Sequence, residues 1–385
     1  MKNATKGEHK MVHTAERRTV ITKEEYQKLI EDKSIQWKRD ERGKTSGHIR
    51  ALAPHGITDI QPNKTKAKGD FRYYDCTIIA NLQRIVNNGA RTIETYNNEQ
   101  DFFALSSNFA RFIQEVLPLR TDINQWSLQR IDYNIDLKLS PCEVEQYITL
   151  LQRGGKNYSW MIHETTDETK KRKQSKHGHR KKMHPTGSVL FDNKQYSVNI
   201  YNKHFERLKV QEKRGITDTA ELKASEGILR IEIQVKRNKL NTIKQGIKRD
   251  FDFEGKPIQV FARYDVAIPI IMKTLQSITG SADYTTYKNA ESKVLQWITR
   301  ERIQTDIMGF LQLVRNTKSL WRAKELYNGS TKIETILEHL NRLNINPVTI
   351  PPSFGRDSME NLFDKVAVLL CEKAHQSTTI CHSHA

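Results

Sequence analysis

The chain has 385 residues, 63 Lys and Arg against 45 Asp and Glu for a formal charge of +18, and 37% apolar residues. That length suits two domains or one with a helical extension, while the longest apolar stretches, such as residues 266–272, fall short of the roughly 20 residues of a membrane helix, and residues 1–10 lack the apolar run of a secretory signal. Four scattered cysteines (Cys76, Cys142, Cys371, Cys381) without a C-x-x-C fit a reducing cytoplasm, and the charge points to nucleic acid first, an anionic membrane surface second, and basicity without a polyanionic partner third.

Residues 1–70, with 16 Lys and Arg against 10 acids, read as a basic N-terminal extension, partly disordered or an accessory arm. It holds one predicted helix over residues 22–32, with Tyr26, Leu29 and Ile30 on one face, and loop signals at Ala53-Pro54-His55-Gly56 and Gln61-Pro62-Asn63. From Phe71 the pattern changes. Residues 73–82 are β-branched and aromatic and predict a strand. Phe102, Leu105, Phe109, Phe112, Ile113 and Val116 recur near the helical period, so residues 101–117 predict a helix. Residues 126–139 alternate and predict a strand. Ser140-Pro141 then opens a helix through Leu151, with Ser as cap, and Gly154-Gly155 ends it.

After a strand over residues 158–163, residues 169–184 carry eight Lys and Arg, three His and no acid, which predicts a solvated loop. Residues 189–201 predict a hairpin about Asn193-Lys194, and residues 228–236 another alternating strand. Beyond Tyr264 the chain turns helical. Ile303, Ile307, Phe310, Leu311 and Val314 share one face; Ile333, Ile336, Leu337, Leu340 and Leu343 share another, introduced by an expected capping box of Thr331 and Glu334. A last helix is expected after Ser358. The expectation is an α+β fold, an antiparallel-leaning, palm- or RRM-like sheet with packed helices, followed by a mostly α-helical C-terminal domain. The expected divisions are residues 1–70, 71–264, 265–370 and a flexible tail over 371–385.

Three strand segments place polar residues where packing alone would not ask for them. Alternation puts Arg130, Asp132, Asn134 and Asp136 on one face, and likewise Arg230, Glu232 and Gln234; between them lies Asn199-Ile200-Tyr201-Asn202-Lys203, followed by Glu206-Arg207. If these strands are neighbours, Asp132, Glu232 and Tyr201 meet. Two carboxylates with an open position suit a hard cation such as Mg²⁺ or Mn²⁺. A tyrosine beside it can attack phosphorus, with Lys203 lowering the phenol pKa or neutralising a phosphate oxygen. A half-buried aromatic on a solvated strand face is the plainer alternative.

Arg-Ile-Asp-x-x-Ile-Asp, then Ile-Tyr-Asn-Lys-x-x-Glu-Arg, then Leu-Arg-Ile-Glu-Ile-x-x-Lys-Arg resembles, in order and spacing, the rolling-circle replication initiators of Gram-positive plasmids and the related filamentous-phage initiator endonucleases. The likeness spans about residues 70–244. It implies a bacterial, cytoplasmic, metal-dependent nicking-closing enzyme that cuts one strand at an origin, becomes linked to the 5′-phosphate and leaves a 3′-hydroxyl to prime synthesis. On that likeness Tyr201 is the nucleophile, Asp132 and Glu232 hold Mg²⁺ or Mn²⁺, and Arg130, Lys203, Arg207 and Arg230 contact phosphate or brace the site, Lys203 being with Tyr201 the catalytic pair. Lys170, Lys171, Arg172, Lys173, Arg180, Lys181 and Lys182 are expected to grip DNA.

The sequence departs from the likeness in the long basic insertion over residues 165–187, the longer helical tail, and the lack of a His-hydrophobic-His motif. His177-Gly178-His179 with His184 reads as a phosphate-contacting loop, and Cys381-His382-Ser383-His384 with His375 as a frayed end. Residues 309–322 and 332–343 are candidates for a helix-turn-helix-like reader, a dimer interface or a structural cap. The expected partner is origin DNA, single-stranded or cruciform at the nick; a second copy of the chain and a host helicase are further candidates, and no membrane is expected. The competing readings are a non-catalytic DNA-binding replication or transcription regulator and a conjugative relaxase.

Overall fold

The structure, a computed structural model, describes residues 12–39, 45–66, 72–87, 99–117, 119, 122–123, 126–154, 161–163, 187–247 and 257–382. Strands β1 (Val12–Ile21), β2 (Ile35–Arg39), β3 (Thr45–Ile49), β4 (Ile57–Lys66), β5 (Arg72–Asn81), β6 (Ser127–Lys138), β7 (Met161–His163), β8 (Ser188–Asp192), β9 (Tyr196–Asn202) and β10 (Ile228–Lys236) are joined in the order β2-β3-β4-β5-β1-β6-β10-β9-β8-β7. A second sheet pairs β11 (Tyr284–Thr285) with β12 (Ser358–Met359). The fold is α+β: a large antiparallel sheet with packed helices and a helical C-terminal region. Among the described residues no helix is long and apolar enough to cross a membrane.

The chain divides into two compact units: Met1–Asn134 with Lys194–Tyr196 and Ile233–Pro269, and Ile135–Asn193 with Ser197–Glu232 and Ile270–Ala385. This differs from boundaries at residues 70 and 264. The described part of the expected extension carries four strands and a helix, and β1 sits between β5 and β6 rather than in an arm. Composition misled because a sheet strand needs only one apolar face, and loop-like residues occupy the other.

In the first unit the inward face of the strands is lined by Ala15, Ile60, Cys76, Ile78, Ala80, Ile131 and Tyr133. The helix Glu99–Val116 contributes the buried Leu105, Phe109, Phe112 and Ile113, as its period predicts, and Phe109 meets Trp126 edge-on at 5.8 Å. The predicted early helix is present as Lys23–Glu31, opened by a capping box of Thr22 and Glu25, and the Tyr26 ring meets that of Tyr74 at a tilt, centres 4.8 Å apart. Tyr133 points its hydroxyl at the Phe261 carbonyl, 2.8 Å away, which pins the helix Pro257–Ala262.

In the second unit Ile135, Leu137, Val189, Phe191, Val198, Ile200, Leu229 and Ile231 are buried. The helix Pro141–Gly154 begins as predicted, Ser140 and Glu143 bonding reciprocally, and buries Val144, Tyr147, Ile148 and Leu151. The helices Tyr287–Trp297, Glu301–Thr317, Leu320–Leu326 and Ile333–Arg342 share a core of Val294, Ile307, Phe310, Leu311, Val314, Ile336 and Leu340. One local expectation fails there. The helix after Thr331 is capped by the Lys332 backbone without a side-chain bond, because Thr331 donates its hydroxyl and its N–H to Asp306 at 2.6 and 2.8 Å.

Candidate functional site

The site is built on two strands whose alternation gives each an apolar and a polar face. On β10, Leu229 and Ile231 are buried, while Arg230 and Glu232 stand half-buried on the other side. On β9, Val198 and Ile200 are buried and Tyr201 faces the opposite way, yet is only 8% exposed. Asn202 ends β9 and caps the helix Lys203–Arg214, its side chain accepting the Phe205 N–H at 3.2 Å. Nucleophile candidate and helix start are therefore two residues apart.

The Tyr201 hydroxyl donates to Glu232 Oε1 at 2.7 Å. Lys203 Nζ lies 5.6 Å from the Tyr201 ring centre and bonds Glu206 Oε2 at 2.8 Å. Arg230 is held by Asp136 of β6 in a two-pronged pair of 2.6 and 2.5 Å. On the helix, Arg207 reaches Glu221 at 3.1 Å and Glu206 at 3.7 Å. Gln211 donates to Glu221 and to the Asp218 carbonyl, which ties this helix to Thr219–Ser225.

Electrostatics follow from burial and charge together. Burial pushes the Tyr201 phenol well above its ordinary range, the Glu232 carboxylate adds to the rise, and Arg230 opposes it. Burial lowers the Lys203 ammonium, helped by Arg230 and resisted by Glu206. Burial also works against the Arg230 charge, but the Asp136 pair outweighs it and raises that pKa. The phenol is thus neutral at ordinary pH and already bonded to a base.

Of the residues expected to act together, Tyr201, Lys203, Glu232, Arg230 and Arg207 belong to the second unit. Asp132 and Arg130 belong to the first, where Arg130 grips Asp132 with two bonds of 2.8 and 3.1 Å and reaches Glu16 at 3.2 Å. Lys170, Lys171, Arg172, Lys173, Arg180, Lys181 and Lys182 lie outside the described residues, as do His177, His179 and His184. Asp136 and Glu206, the anchors of Arg230 and Lys203, had no assigned role in the sequence reading. The alternation of β6 carried the signal for Asp136, since it shares a face with Arg130 and Asp132.

Of the two carboxylates expected to hold a cation, Glu232 belongs to the second unit and Asp132 to the first. Glu232 serves the phenol, Asp136 is locked by Arg230, and among the described residues no three carboxylates, histidines or cysteines gather as metal ligands. What the second unit does form is a phenol, a carboxylate that can take its proton, and buried cations beside them. Compared with family models, with curated proteins and with solved structures, the chain finds no match.

Proposed function

We propose that the chain is a DNA nicking and strand-transfer enzyme of the rolling-circle initiator type, with Tyr201 as nucleophile. The observation that carries this reading is the 2.7 Å bond from the Tyr201 hydroxyl to Glu232. A neutral phenol is a poor nucleophile, and its raised pKa makes unaided ionisation worse. A carboxylate within proton-transfer distance removes the difficulty, because the proton leaves as the oxygen attacks. Glu232 is then the general base. Arg230, fixed in advance by Asp136, faces the charge that builds on the phosphate, a form of stabilisation that needs no rearrangement during the reaction.

The helix Lys203–Arg214, starting right after the nucleophile, turns its N–H groups and positive dipole end toward an incoming phosphate. The cation-rich run over residues 169–184, which precedes β8 in the chain, supplies further phosphate contacts in this reading. A tyrosyl phosphodiester keeps the energy of the broken bond, so the same site can rejoin the strand. An enzyme activating water would lose that energy.

The test needs no knowledge of the origin. Full-length protein is incubated with single-stranded DNA of randomised sequence, labelled at its 3′ end, with Mg²⁺, Mn²⁺ or EDTA, and denatured before the label on protein is measured. Label should stay on the wild type, map to Tyr201 by mass spectrometry, and be absent from Tyr201→Phe. An adduct that survives in Tyr201→Phe removes the nucleophile assignment. Binding without an adduct in every arm returns the chain to the non-catalytic DNA-binding class.

A further inference from the structure

We infer that Lys203 is the general acid of the strand-transfer step, giving its Nζ proton to the departing deoxyribose 3′-oxygen. The inference rests on the nicking reading above and assigns the one proton that reading leaves without a donor. Glu232 accounts for the proton on the attacking oxygen. The leaving 3′-oxygen would otherwise depart as an alkoxide, far too basic to be released into a buried site.

Three cations come into question: Lys203 and Arg207 on the helix that follows the phenol, and Arg230 on β10, whose charge acts on it. Only one of them can act as an acid. Guanidinium groups do not give up a proton in proteins, and Arg230 is further fixed by its two bonds to Asp136. Lys203 is 7% exposed, and its ammonium is crowded by Arg230 and desolvated, so loss of a proton is eased there. Its Nζ lies 5.6 Å from the Tyr201 ring centre, while the Tyr201 hydroxyl bonds Glu232. Base and acid are therefore separate groups, as in-line displacement asks, because the attacking and leaving oxygens sit on opposite sides of phosphorus.

The step balances. The Tyr201 Oη–P bond forms as Glu232 takes the phenol proton. The P–O3′ bond breaks, its electron pair stays on O3′, and O3′ takes a proton from Lys203 Nζ. The products are a tyrosyl 5′-phosphodiester, a free 3′-hydroxyl, a protonated Glu232 and a neutral Lys203 amine. Glu206, bonded to Lys203 at 2.8 Å and over a third exposed, offers the amine a route to regain its proton from solvent. Rejoining runs the same steps backwards, with the amine as base toward the 3′-hydroxyl.

The test uses the oligonucleotide recovered from the randomised-DNA experiment, made with either oxygen or sulfur as the bridging 3′ atom at the scissile phosphate. Sulfur leaves as a thiolate and needs no proton donor, since thiols are far more acidic than alcohols. Lys203→Ala and Lys203→Arg should lose about 10²–10⁴-fold in adduct formation on the oxygen ester. Both should regain close to the wild-type rate on the sulfur ester. Glu232→Gln, which lacks the base, should be slow on both. The ratio of the two rates is read on one protein preparation, so partial misfolding moves both rates alike and leaves the ratio unchanged. Equal losses on both esters, or a Lys203→Arg variant as fast as wild type on the oxygen ester, would overturn the inference. A wild type without adduct on the oxygen ester overturns the nicking reading itself, and this inference with it.

Discussion

Removing Asp136 tests whether Arg230 is a working cation or half of a structural pair. The two side chains are 13% and 12% exposed and share two short bonds. Taking one partner from a buried pair costs about 3–5 kcal/mol, because the other is left charged and unpaired; the remaining exposure lets water reduce this to about 2–4 kcal/mol. In a unit of roughly two hundred residues, 1 kcal/mol moves Tm by about 2–4 °C, so Asp136→Ala should lower Tm by roughly 4–16 °C. Freed from its anchor, Arg230 should turn toward Glu232, whose negative charge it already feels, and compete for the carboxylate that accepts the phenol proton in the proposed step. Adduct formation should then fall about 10²-fold, the usual cost of a misplaced group.

The double variant Arg230→Met with Asp136→Leu separates the two roles. An apolar pair of similar volume often matches or exceeds a buried ion pair in stability. Stability should return to within about 1 kcal/mol of wild type, or about 2–4 °C in Tm, whereas the adduct should remain as scarce as in Arg230→Met alone. Thermal unfolding followed by circular dichroism, run beside the 3′-label adduct assay, reads both quantities. Recovery of adduct together with Tm would refute the catalytic part, since the pair would then serve only to hold β6 and β10. An unchanged Tm in Asp136→Ala would refute the burial argument.

Other outcomes follow from single contacts. Gly227, with φ of +67°, would place a Cβ 2.2 Å from the Leu139 carbonyl oxygen, so Gly227→Ala should be destabilised by the roughly 1–2 kcal/mol of left-handed strain it introduces plus the displacement of β10 from Leu139, measured as a lower urea midpoint. Phe109→Ala should cost about 3–5 kcal/mol, at an unchanged m-value, because the ring is fully buried against Trp126. The Asp306 carboxylate is held down to about 2 by the hydroxyls of Thr331 and Ser330, below its value in an unfolded chain. Its contribution is therefore full above about pH 4 and lost as pH falls through about 2, so the stability gap between wild type and Asp306→Asn should close over that window in acid-unfolding curves.

Some of this was open to reading from the sequence, and the reason lies in single strands. β6 and β10 each bury one unbroken apolar row, Ile131-Tyr133-Ile135-Leu137 and Leu229-Ile231-Ile233-Val235, so their polar rows, with Asp136, Arg230 and Glu232, stood out. β1 hid because its inward row is Ala15, Arg17, Thr19 and Ile21. Arg17 is 1% exposed and bonds the Trp126 carbonyl, a partner 109 residues away that no local pattern announces. β4 hid behind Pro62, which sits opposite Cys76 within the ladder where a proline usually argues against a strand.

The proposed nucleophile shows most clearly what local pattern leaves out. Tyr133, Tyr147 and Tyr201 are all buried, and burial raises each phenol's pKa. Tyr133 donates to the Phe261 carbonyl and Tyr147 to the Glu360 carbonyl, both at 2.8 Å. An amide oxygen accepts a hydrogen bond but is too weak a base to take the proton, so those phenols anchor structure. Tyr201 alone of these three donates to a carboxylate, 31 residues further along the chain. The chemical difference among three similar side chains lies in which strand is β9's neighbour, and the composition of neither strand carries that information.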